Sequence, residues 1–343
     1  MRIFVGLSGG VDSATSAALL KAQGHDVVGV FIKIWQPEFI ECTWRQDRLD
    51  ALRVCASFDI PFREVDFSEH YKRDVVEAMI ADYQSGITPN PDVLCNEKIK
   101  FGSFLDWALA HGADMVATGH YAQTKSGRLF RGADNRKDQS YFLYRLSHAQ
   151  LEKTLFPIGG MHKDEVRKVA VRFNVPVAQK PDSQGLCFIG DVSMSDFLKR
   201  FIDVESGVVL DMQGNQIGEH DGAACYTIGQ RHGFRVRNTA AGSSHFVVAL
   251  DTKHNTITIS PRRDDAAKQT ISIENVHWIT SEPAFPAQLQ AQTRYHETPV
   301  GVTVTPHDTH LRASFIEPHI SAPGQSIVFY GEEECIGGGI ISL

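Results

Sequence analysis

The sequence predicts an α/β protein in which an N-terminal Rossmann-like domain with a parallel sheet is followed by a small, mainly β central domain and a C-terminal β-barrel. Its 343 residues exceed what one hydrophobic core usually organises, so several domains are expected. The first part alternates short apolar runs with amphipathic stretches, whereas beyond about residue 200 short alternating runs are separated by turn residues. This change of pattern predicts a change from α/β to all-β architecture.

The N-terminal part has the pattern of strands that alternate with helices. Runs 2–7 and 26–34 predict strands, and runs 14–23 and 47–58 predict the helices that follow them. The alternation continues through a strand at 61–67, helices at 71–83 and 102–111, and a strand at 115–118. At least four βα units are thus predicted, and such units form a parallel sheet with helices on both faces.

Two β modules are predicted after residue 200, because period-two alternation of apolar residues is typical of half-buried antiparallel strands. The runs of the first module are 207–215, 246–250 and 256–260, and those of the second are 270–278, 288–295, 301–305, 310–316 and 326–330. The polar, basic run 261–268 separates the modules, and the second module fits a small barrel. The predicted domains are 1–200, 201–265 and 266–343.

The composition excludes a disordered chain and a membrane protein. Hydrophobic residues make up 42% and charged residues 22%, as in soluble globular proteins. No stretch approaches the roughly 18 apolar residues that a membrane span needs. The first residues run directly into a predicted strand and leave no room for a secretory apolar region. We therefore expect a cytoplasmic protein.

The charge distribution bears on a nucleic-acid partner. A net charge of −7 argues against a non-specific nucleic-acid binder, which is usually basic. Residues 95–265, however, hold 22 Lys and Arg against 19 Asp and Glu, a net charge of +3. A polyanion would be drawn to this part if its basic residues share one face, and a solvated surface of mixed charge is the alternative.

A glycine-rich turn follows the first predicted strand. The run Ser-Gly-Gly-Val-Asp-Ser at 8–13 lets successive N–H groups surround an anion at the start of the first helix. Asp12 can hold Mg²⁺ or orient a phosphate ligand, while Ser8 and Ser13 can donate hydrogen bonds. A strand-to-helix turn with a capping serine is the structural alternative. The run resembles the full signature of the PP-loop ATP pyrophosphatases, which cleave ATP between the α and β phosphates.

Two further segments combine prolines with a cysteine. Segment 88–96 places Asp92 three residues before Cys95, and segment 180–190 ends near Cys187; both are interpreted as proline-stiffened turns. A thiol with a pKa near 8.5 needs a nearby cation or a helix N-terminus to ionise usefully. The candidate cations are Lys98, Lys100 and Lys180. The six cysteines show no disulfide-scaffold spacing and no Cys-x-x-Cys, so each other cysteine, including Cys42 and Cys55, is interpreted as structural.

With these segments the chain resembles the tRNA-specific 2-thiouridylase family over essentially its whole length. The segments that carry the resemblance are 6–13, 90–96, 117–121, 137–143, 180–190, 226–231 and 323–326. The resemblance implies an enzyme that uses ATP to adenylate the C2 oxygen of the wobble uridine and replaces that oxygen with persulfide sulfur. It implies tRNA, through its anticodon arm, and a cysteine desulfurase or sulfur-relay protein as partners, and Mg²⁺ bound with the ATP.

The resemblance also implies roles for individual residues. Cys187 carries the persulfide sulfur, Cys95 is the partner nucleophile, and Asp92 acts as acid or base beside the target base. The implied nucleotide contacts are Gly6, Leu7, Ser8, Gly9, Gly10, Val11, Asp12, Ser13, Ile32 and Gly119. The implied tRNA contacts are Asn90, Pro91 and Asp92 at the flipped base, Lys137, Asp138 and Gln139 at the anticodon arm, and His120, Arg294, Tyr295 and Gln325 elsewhere. Ile32 departs from the Met that is common in the family, which affects only side-chain packing.

Three questions stay open at this point. The persulfide can attack the adenylated carbon directly, or Cys95 can attack first and release sulfide; both routes end in a Cys95–Cys187 disulfide. A PP-loop synthetase or amidotransferase that acts on a small molecule is a rival function. A catalytically dead tRNA-binding module is another.

Overall fold

The computed structural model describes residues 1–40, 44–182, 192–237 and 244–342. Its first five-stranded sheet is parallel throughout and has the order β3-β2-β1-β4-β7. The strands of the N-terminal part are β1 (Arg2–Gly6), β2 (Asp26–Lys33), β3 (Phe62–Asp66), β4 (Met115–Ala117), β5 (Ala122–Lys125), β6 (Arg128–Arg131) and β7 (Thr154–Leu155). β2 pairs with one side of β1, and β4, which comes later in the chain, pairs with the other side. The strand order therefore reverses at β1, and parallel sheets bind ligands at such a point.

Helices cover both faces of this sheet. They are α1 (Val11–Ala22), α2 (Trp44–Ser57), α3 (Ser68–Tyr71), α4 (Ala78–Gln84), α5 (Pro91–Leu94), α6 (Phe104–Ala110), α7 (His148–Glu152), α8 (Lys163–Arg172) and α9 (Met194–Leu198). Two π-helical segments, Lys72–Glu77 and Cys95–Ser103, join α3 to α4 and α5 to α6. Residues 68–84 and 91–110 are thus two continuous helical runs.

The core lies on both faces of the sheet because successive β1 side chains point to opposite sides. Phe4 packs with Met79, Ile99 and Phe104 beneath the two long helical runs. Ile3 and Val5 pack on the other face, against α1 and α2. Among the described residues, no helix combines the length and apolarity needed to cross a bilayer.

The second sheet is smaller and has the order β10-β9-β8-β12-β11. Its strands are β8 (Gly207–Leu210), β9 (Gln216–His220), β10 (Phe234–Val236), β11 (Phe246–Asp251) and β12 (Thr256–Ser260). The β8–β12 pair is parallel, whereas the other pairs are antiparallel. The prediction of antiparallel strands is therefore wrong for this pair, since alternation reports which side chains are buried and not the direction of the neighbouring strand.

The third sheet closes into an antiparallel barrel. Its strands are β13 (Lys268–Trp278), β14 (Ala287–Gln292), β15 (Val300–His307), β16 (His310–His319), β17 (Ser326–Gly331) and β18 (Glu334–Ser342). They follow the order β13-β16-β15-β14-β17-β18, and the β13–β18 pairing closes the ring. The predicted fold class, a parallel α/β domain followed by a central β domain and a C-terminal barrel, is confirmed.

A hairpin from the N-terminal part belongs to this third sheet. β5 and β6 pair with each other, and β6 also pairs with β18. Ser126 and Gly127 in the turn have φ of 50° and 69°, the positive values of a two-residue hairpin turn that fits strand twist. Leu129 of β6 is fully buried and packs with Val328 and Tyr330 of the barrel. The barrel and the N-terminal part therefore share a core.

Candidate active site

The phosphate loop connects β1 to α1 at the point where the strand order reverses. Gly9 has a φ of 76°, and a Cβ at this residue would lie 2.6 Å from the Asp47 carbonyl oxygen. The Ser8 N–H donates to Ser13 Oγ at 3.2 Å, which curls the loop back onto the first turn of α1. The loop therefore needs glycine at position 9, and it leaves the N-terminus of the 12-residue helix α1 facing an anion-binding concavity.

Three other predicted nucleotide contacts lie at this loop. A Cβ on Gly119 would lie 2.5 Å from the Ser13 backbone nitrogen, so the chain after β4 passes directly over the start of α1. A Cβ on Gly6 would lie 3.6 Å from Ile32 Cδ1, which places the Ile32 side chain beside the last residue of β1. The structure thus brings Gly6, Ile32 and Gly119 together with residues 7–13.

Asp12 is held by two side chains from distant parts of the chain. Lys163 Nζ, in the first turn of α8, donates to both carboxylate oxygens at 2.7 and 2.8 Å. Tyr121 Oη donates to Oδ1 at 2.8 Å. Lys163 is only 7% exposed, so this ion pair is screened much less by solvent than a surface pair. Sequence reasoning missed Lys163 as a site residue, because 151 positions separate it from Asp12.

A second carboxylate, Asp182, joins Lys163 to two further cations. Its Oδ1 lies 2.9 Å from Lys163 Nζ and 2.7 Å from Arg167 Nη2. Its Oδ2 accepts from Lys137 Nζ at 2.9 Å. Burial acts to raise the pKa of Asp182, but the hydrogen bonds from Lys163 and Lys137 dominate and bring it to about 2. The carboxylate is therefore ionised, and Lys137 is linked through it to the phosphate loop.

Lys180 lies at the phosphate loop as well. Its Nζ donates to the Gly9 carbonyl at 3.1 Å and to Asp47 and Asp50 at 2.8 Å each. Burial opposes ionisation of Asp50, but the bonded Lys180 lowers the pKa of that carboxyl overall. Among the three candidate cations for a thiol, Lys180 is thus committed to Gly9 and the start of α2.

Segment 88–96 is positioned by the barrel at one end and by a helix cap at the other. Gln325 Nε2 donates to the carbonyls of Thr88 and Pro89 at 2.9 and 3.0 Å. Asn90 Oδ1 accepts from the Val93 N–H at 3.4 Å, and Pro91 is the first residue of α5. The interpretation of the whole segment as a turn is therefore wrong from Pro91 onward, where Asn-Pro is the cap and first residue of a helix.

Asp92 and Cys95 lie in the helical run that begins at Pro91. Burial raises the pKa of Asp92, and the positive charge of Lys100 lowers it in part. Cys95 is 4% exposed and packs in the apolar cluster of Phe4 and Ile99. Cys187 and Cys42 lie outside the described residues. The predicted approach of Cys95 and Cys187 stays a prediction.

The chain matches three family models in succession. They are described as tRNA methyl transferase HUP domain at residues 1–191, tRNA methyl transferase PRC-barrel domain at 195–261, and aminomethyltransferase beta-barrel domain at 268–341. The tRNA-specific 2-thiouridylase MnmA of Nitrosomonas eutropha is 43% identical over 99% of this chain and 98% of the relative. The protein of that name from Proteus mirabilis is 41% identical over 99% of this chain and 95% of the relative.

The chain belongs to the tRNA-specific 2-thiouridylase MnmA family. The predicted family is thereby confirmed. Among solved structures, the U34-tRNA thiolase NcsA from Methanococcus maripaludis is 19% identical, covers 59% of this chain and 64% of that chain, and has a TM-score of 0.37. That likeness is too distant to support a conclusion about function.

Several residues predicted to touch tRNA in this MnmA family member have protein partners in the structure. Asp138 is 8% exposed and accepts from the N–H groups of Gly132 and Ser140 at 2.9 and 3.0 Å. Gln139 Oε1 accepts from the Tyr121 N–H at 3.0 Å. These bonds shape the turn that presents Lys137, whose side chain is 40% exposed. Lys137 is therefore more accessible than the buried Asp138.

The barrel contributes two more of the predicted tRNA contacts. The Tyr295 ring lies 4.4 Å from the Phe142 ring, between centroids, so the barrel meets segment 137–143 through an aromatic contact. The neighbouring Arg294 is 53% exposed and lies 3.4 Å from Glu297. A guanidinium that is mostly exposed can exchange this carboxylate for a phosphate at little cost.

Proposed function

We propose that this chain catalyses the ATP-dependent 2-thiolation of the wobble uridine in tRNA anticodons. The observation that carries the proposal is its 41 to 43% identity, over nearly the full chain, to proteins named tRNA-specific 2-thiouridylase. The geometry supports it, because one end of the parallel sheet holds a phosphate loop and the helical run capped by Asn90 holds Asp92 and Cys95. An anticodon-loop base is already partly unstacked, which makes it accessible to both reagents.

The phosphate loop would bind ATP and Asp12 would hold its Mg²⁺. Mg²⁺ usually takes one or two protein carboxylates and otherwise phosphate oxygens and waters. The described residues contain no group of three or more His, Cys, Asp or Glu that could hold a metal ion. A single carboxylate, 29% exposed, therefore fits an ion that arrives with the nucleotide. Bound Mg²⁺ would neutralise charge on the phosphates, while the loop N–H groups bind the pyrophosphate and Lys163 keeps Asp12 oriented.

Adenylation and sulfur transfer would follow in order. The carbonyl oxygen of the uracil is a poor leaving group and must first be activated. The C2 oxygen therefore attacks the α phosphorus of ATP, and pyrophosphate leaves. Sulfur from the Cys187 persulfide then replaces AMP at C2, with Cys95 breaking the sulfur–sulfur bond before or after that attack. The resulting Cys95–Cys187 disulfide must be reduced by an external thiol before the next turnover. A cysteine desulfurase or a sulfur-relay protein would supply the persulfide.

The three domains, 1–200, 201–265 and 266–343, would have different roles in catalysis and tRNA binding. The first would carry the chemistry, and the barrel would contribute Arg294, Tyr295 and Gln325 to the tRNA-binding surface. Such an enzyme would act in the cytoplasm, where its tRNA substrate is found.

Mass spectrometry of tRNA nucleosides tests the proposed function. The purified chain is incubated with unmodified tRNA, ATP, Mg²⁺ and a persulfide source, and we expect 2-thiouridine that is absent when ATP is omitted. Pyrophosphate release that needs tRNA would accompany it. Pyrophosphate release with a small molecule in place of tRNA would favour the synthetase function, and tRNA binding without either product would favour a dead tRNA-binding module.

Lys137→Ala is expected to weaken tRNA binding, because the exposed ammonium of Lys137 can leave Asp182 for a phosphate of the RNA backbone. The slope of log Kd against log salt concentration should fall by about the amount that one phosphate contact contributes. Kd measured over a series of salt concentrations checks this. Lys21→Ala is the matched control, since Lys21 is exposed in the last turn of α1, at the opposite end from the phosphate loop. An unchanged slope for Lys137→Ala would remove this residue from the interface.

A further inference from the structure

A line of polar residues follows one face of the helical run 91–110. Asp92, Asn96 and Lys100 are spaced by four, and residues four apart on a helix lie one turn apart on the same face. The π-helical geometry of Cys95–Ser103 widens the turn slightly and keeps this alignment. π-helical turns occur frequently at functional sites.

The Asn96 side chain is buried, and among the described residues only one of its two polar atoms has a hydrogen-bond partner. The side chain is 3% exposed, and its amide nitrogen donates to the Phe142 carbonyl at 3.2 Å, which fixes the orientation of the amide. Its Oδ1 is buried with no hydrogen-bond partner in the described part of the chain. An unsatisfied buried acceptor costs roughly 1–3 kcal/mol, so the helix carries this residue on the same face as Asp92 and Lys100 at a cost in stability.

Lys100 is oriented by His120. Its Nζ lies 3.4 Å from His120 Nε2, and because an ammonium has only donors, Nε2 must be the acceptor. The proton of the neutral ring is then on Nδ1, which donates to Thr118 Oγ1 at 2.7 Å. Burial, and secondly the charge of Lys100, lower the pKa of His120 well below its usual value, which agrees with a neutral ring. His120 is thus a positioning residue for Lys100.

Among the described residues, Lys100 on the same helical run and Tyr295 on the barrel side interact electrostatically with Asp92. Cys95 lies three residues further along the run, and His120 contacts Lys100. Burial and the charges of Asp138 and Asp92 raise the pKa of Tyr295 to about 12, so it is a neutral phenol. Lys100 is therefore the cation that acts on Asp92 among these groups.

The other candidate lysines are placed differently. Lys98 is two residues from Lys100, but its Nζ lies 2.8 Å from Glu97 and its side chain is 47% exposed. Lys180 binds Gly9, Asp47 and Asp50. The described partners of these two ammonium groups do not include Asp92, Asn96 or Lys100.

We propose, resting on the function above, that Lys100 is a further residue of the target-base pocket, where its charge stabilises the anion formed when the uracil passes its N3 proton to Asp92. In this step the N3–H bond breaks and an O–H bond forms on Asp92. The electron pair moves to the C2 oxygen, which bonds to the α phosphorus as pyrophosphate departs. Asn96 lies one helical turn from each of these two charged residues.

The test compares Lys100→Gln, Lys100→Arg and Lys98→Gln by tRNA-dependent pyrophosphate release over pH 6 to 9. Glutamine removes the charge and keeps an N–H donor, although its side chain is one bond shorter than that of lysine. We expect Lys100→Gln to lower kcat about fiftyfold near neutral pH, with the KM for ATP and the Kd for tRNA within about threefold of the wild type. Lys100→Arg should recover most of this loss, and Lys98→Gln should stay within about twofold.

The pH profile distinguishes a charge effect from a structural one. Without Lys100 the pKa of Asp92 rises further, so its basic form is populated only at higher pH; the deficit of Lys100→Gln should therefore shrink as pH rises. A wild-type rate in Lys100→Gln, or a loss equal at every pH that Lys100→Arg does not relieve, would overturn the inference. A wild-type enzyme that releases no pyrophosphate with tRNA would instead overturn the proposed function. Thermal melting of each variant identifies a loss that comes from unfolding.

Discussion

Asp12→Ala is expected to abolish tRNA-dependent pyrophosphate release, with a loss of at least about a hundredfold in kcat, while tRNA binding stays within a few fold. Within the described phosphate loop, Lys163 Nζ donates hydrogen bonds to the Asp12 carboxylate alone. Its removal takes away the proposed ligand of Mg²⁺ and leaves a 7% exposed ammonium paired with Asp182 alone among the described carboxylates. Single-turnover pyrophosphate release and tRNA filter binding measure the two effects.

Two controls separate loss of the charge from disturbance of the loop. Tyr121→Phe removes one hydrogen bond to Asp12 and keeps the ring, so its effect should be much smaller. Asp26→Ala removes an exposed carboxylate at the far end of the sheet, beside Arg2, and should leave the rate unchanged. Undiminished pyrophosphate release in Asp12→Ala would remove this loop from the chemistry.

The two thiols are expected to fail at different steps. Cys187→Ser should accept no labelled sulfur from a desulfurase, because a hydroxyl cannot form a persulfide, yet it should still adenylate tRNA. Cys95→Ser should retain the label on Cys187 and make no 2-thiouridine, because no second thiol remains to break the sulfur–sulfur bond. Gel autoradiography of the protein and mass spectrometry of the tRNA follow the two outcomes.

Cys225→Ser is the matched control for the thiol variants. Burial raises the pKa of the Cys225 thiol, so it is a poor nucleophile, and its replacement should leave labelling and product unchanged. If Cys95→Ser loses the label while Cys187→Ser keeps it, the two roles are reversed. If both variants make 2-thiouridine, sulfur reaches the base by another route.

Local patterns in the sequence predicted the fold class and the family. The glycine-rich run at 8–13 predicted the phosphate loop, because the conformation of Gly9 depends on residues beside it. The interpretation of 88–96 as a turn gave too little weight to Asn90 and Pro91, which begin a helix. That signal was available in the sequence.

Contacts between residues far apart in the chain could not be predicted from local sequence patterns. Lys163 opens an ordinary amphipathic helix, and nothing near it indicates that it binds Asp12. The parallel direction of the β8–β12 pair depends on how the chain crosses the module. Likewise, alternation at 122–131 cannot show that the β5–β6 hairpin pairs with β18.

The pairing of β6 with β18 affects how the chain is made on the ribosome. Arg128 and Glu334, which bind each other across these strands, are 206 positions apart. At about 5–20 residues per second, the partner of β6 emerges roughly 10–40 s after β6 itself. During that interval β6 has no β18 to pair with, and the apolar side chain of Leu129 is not yet buried by the barrel. Exposed strand edges and apolar side chains favour chaperone binding to the nascent chain. Translation speed through the barrel would then affect the yield of folded protein.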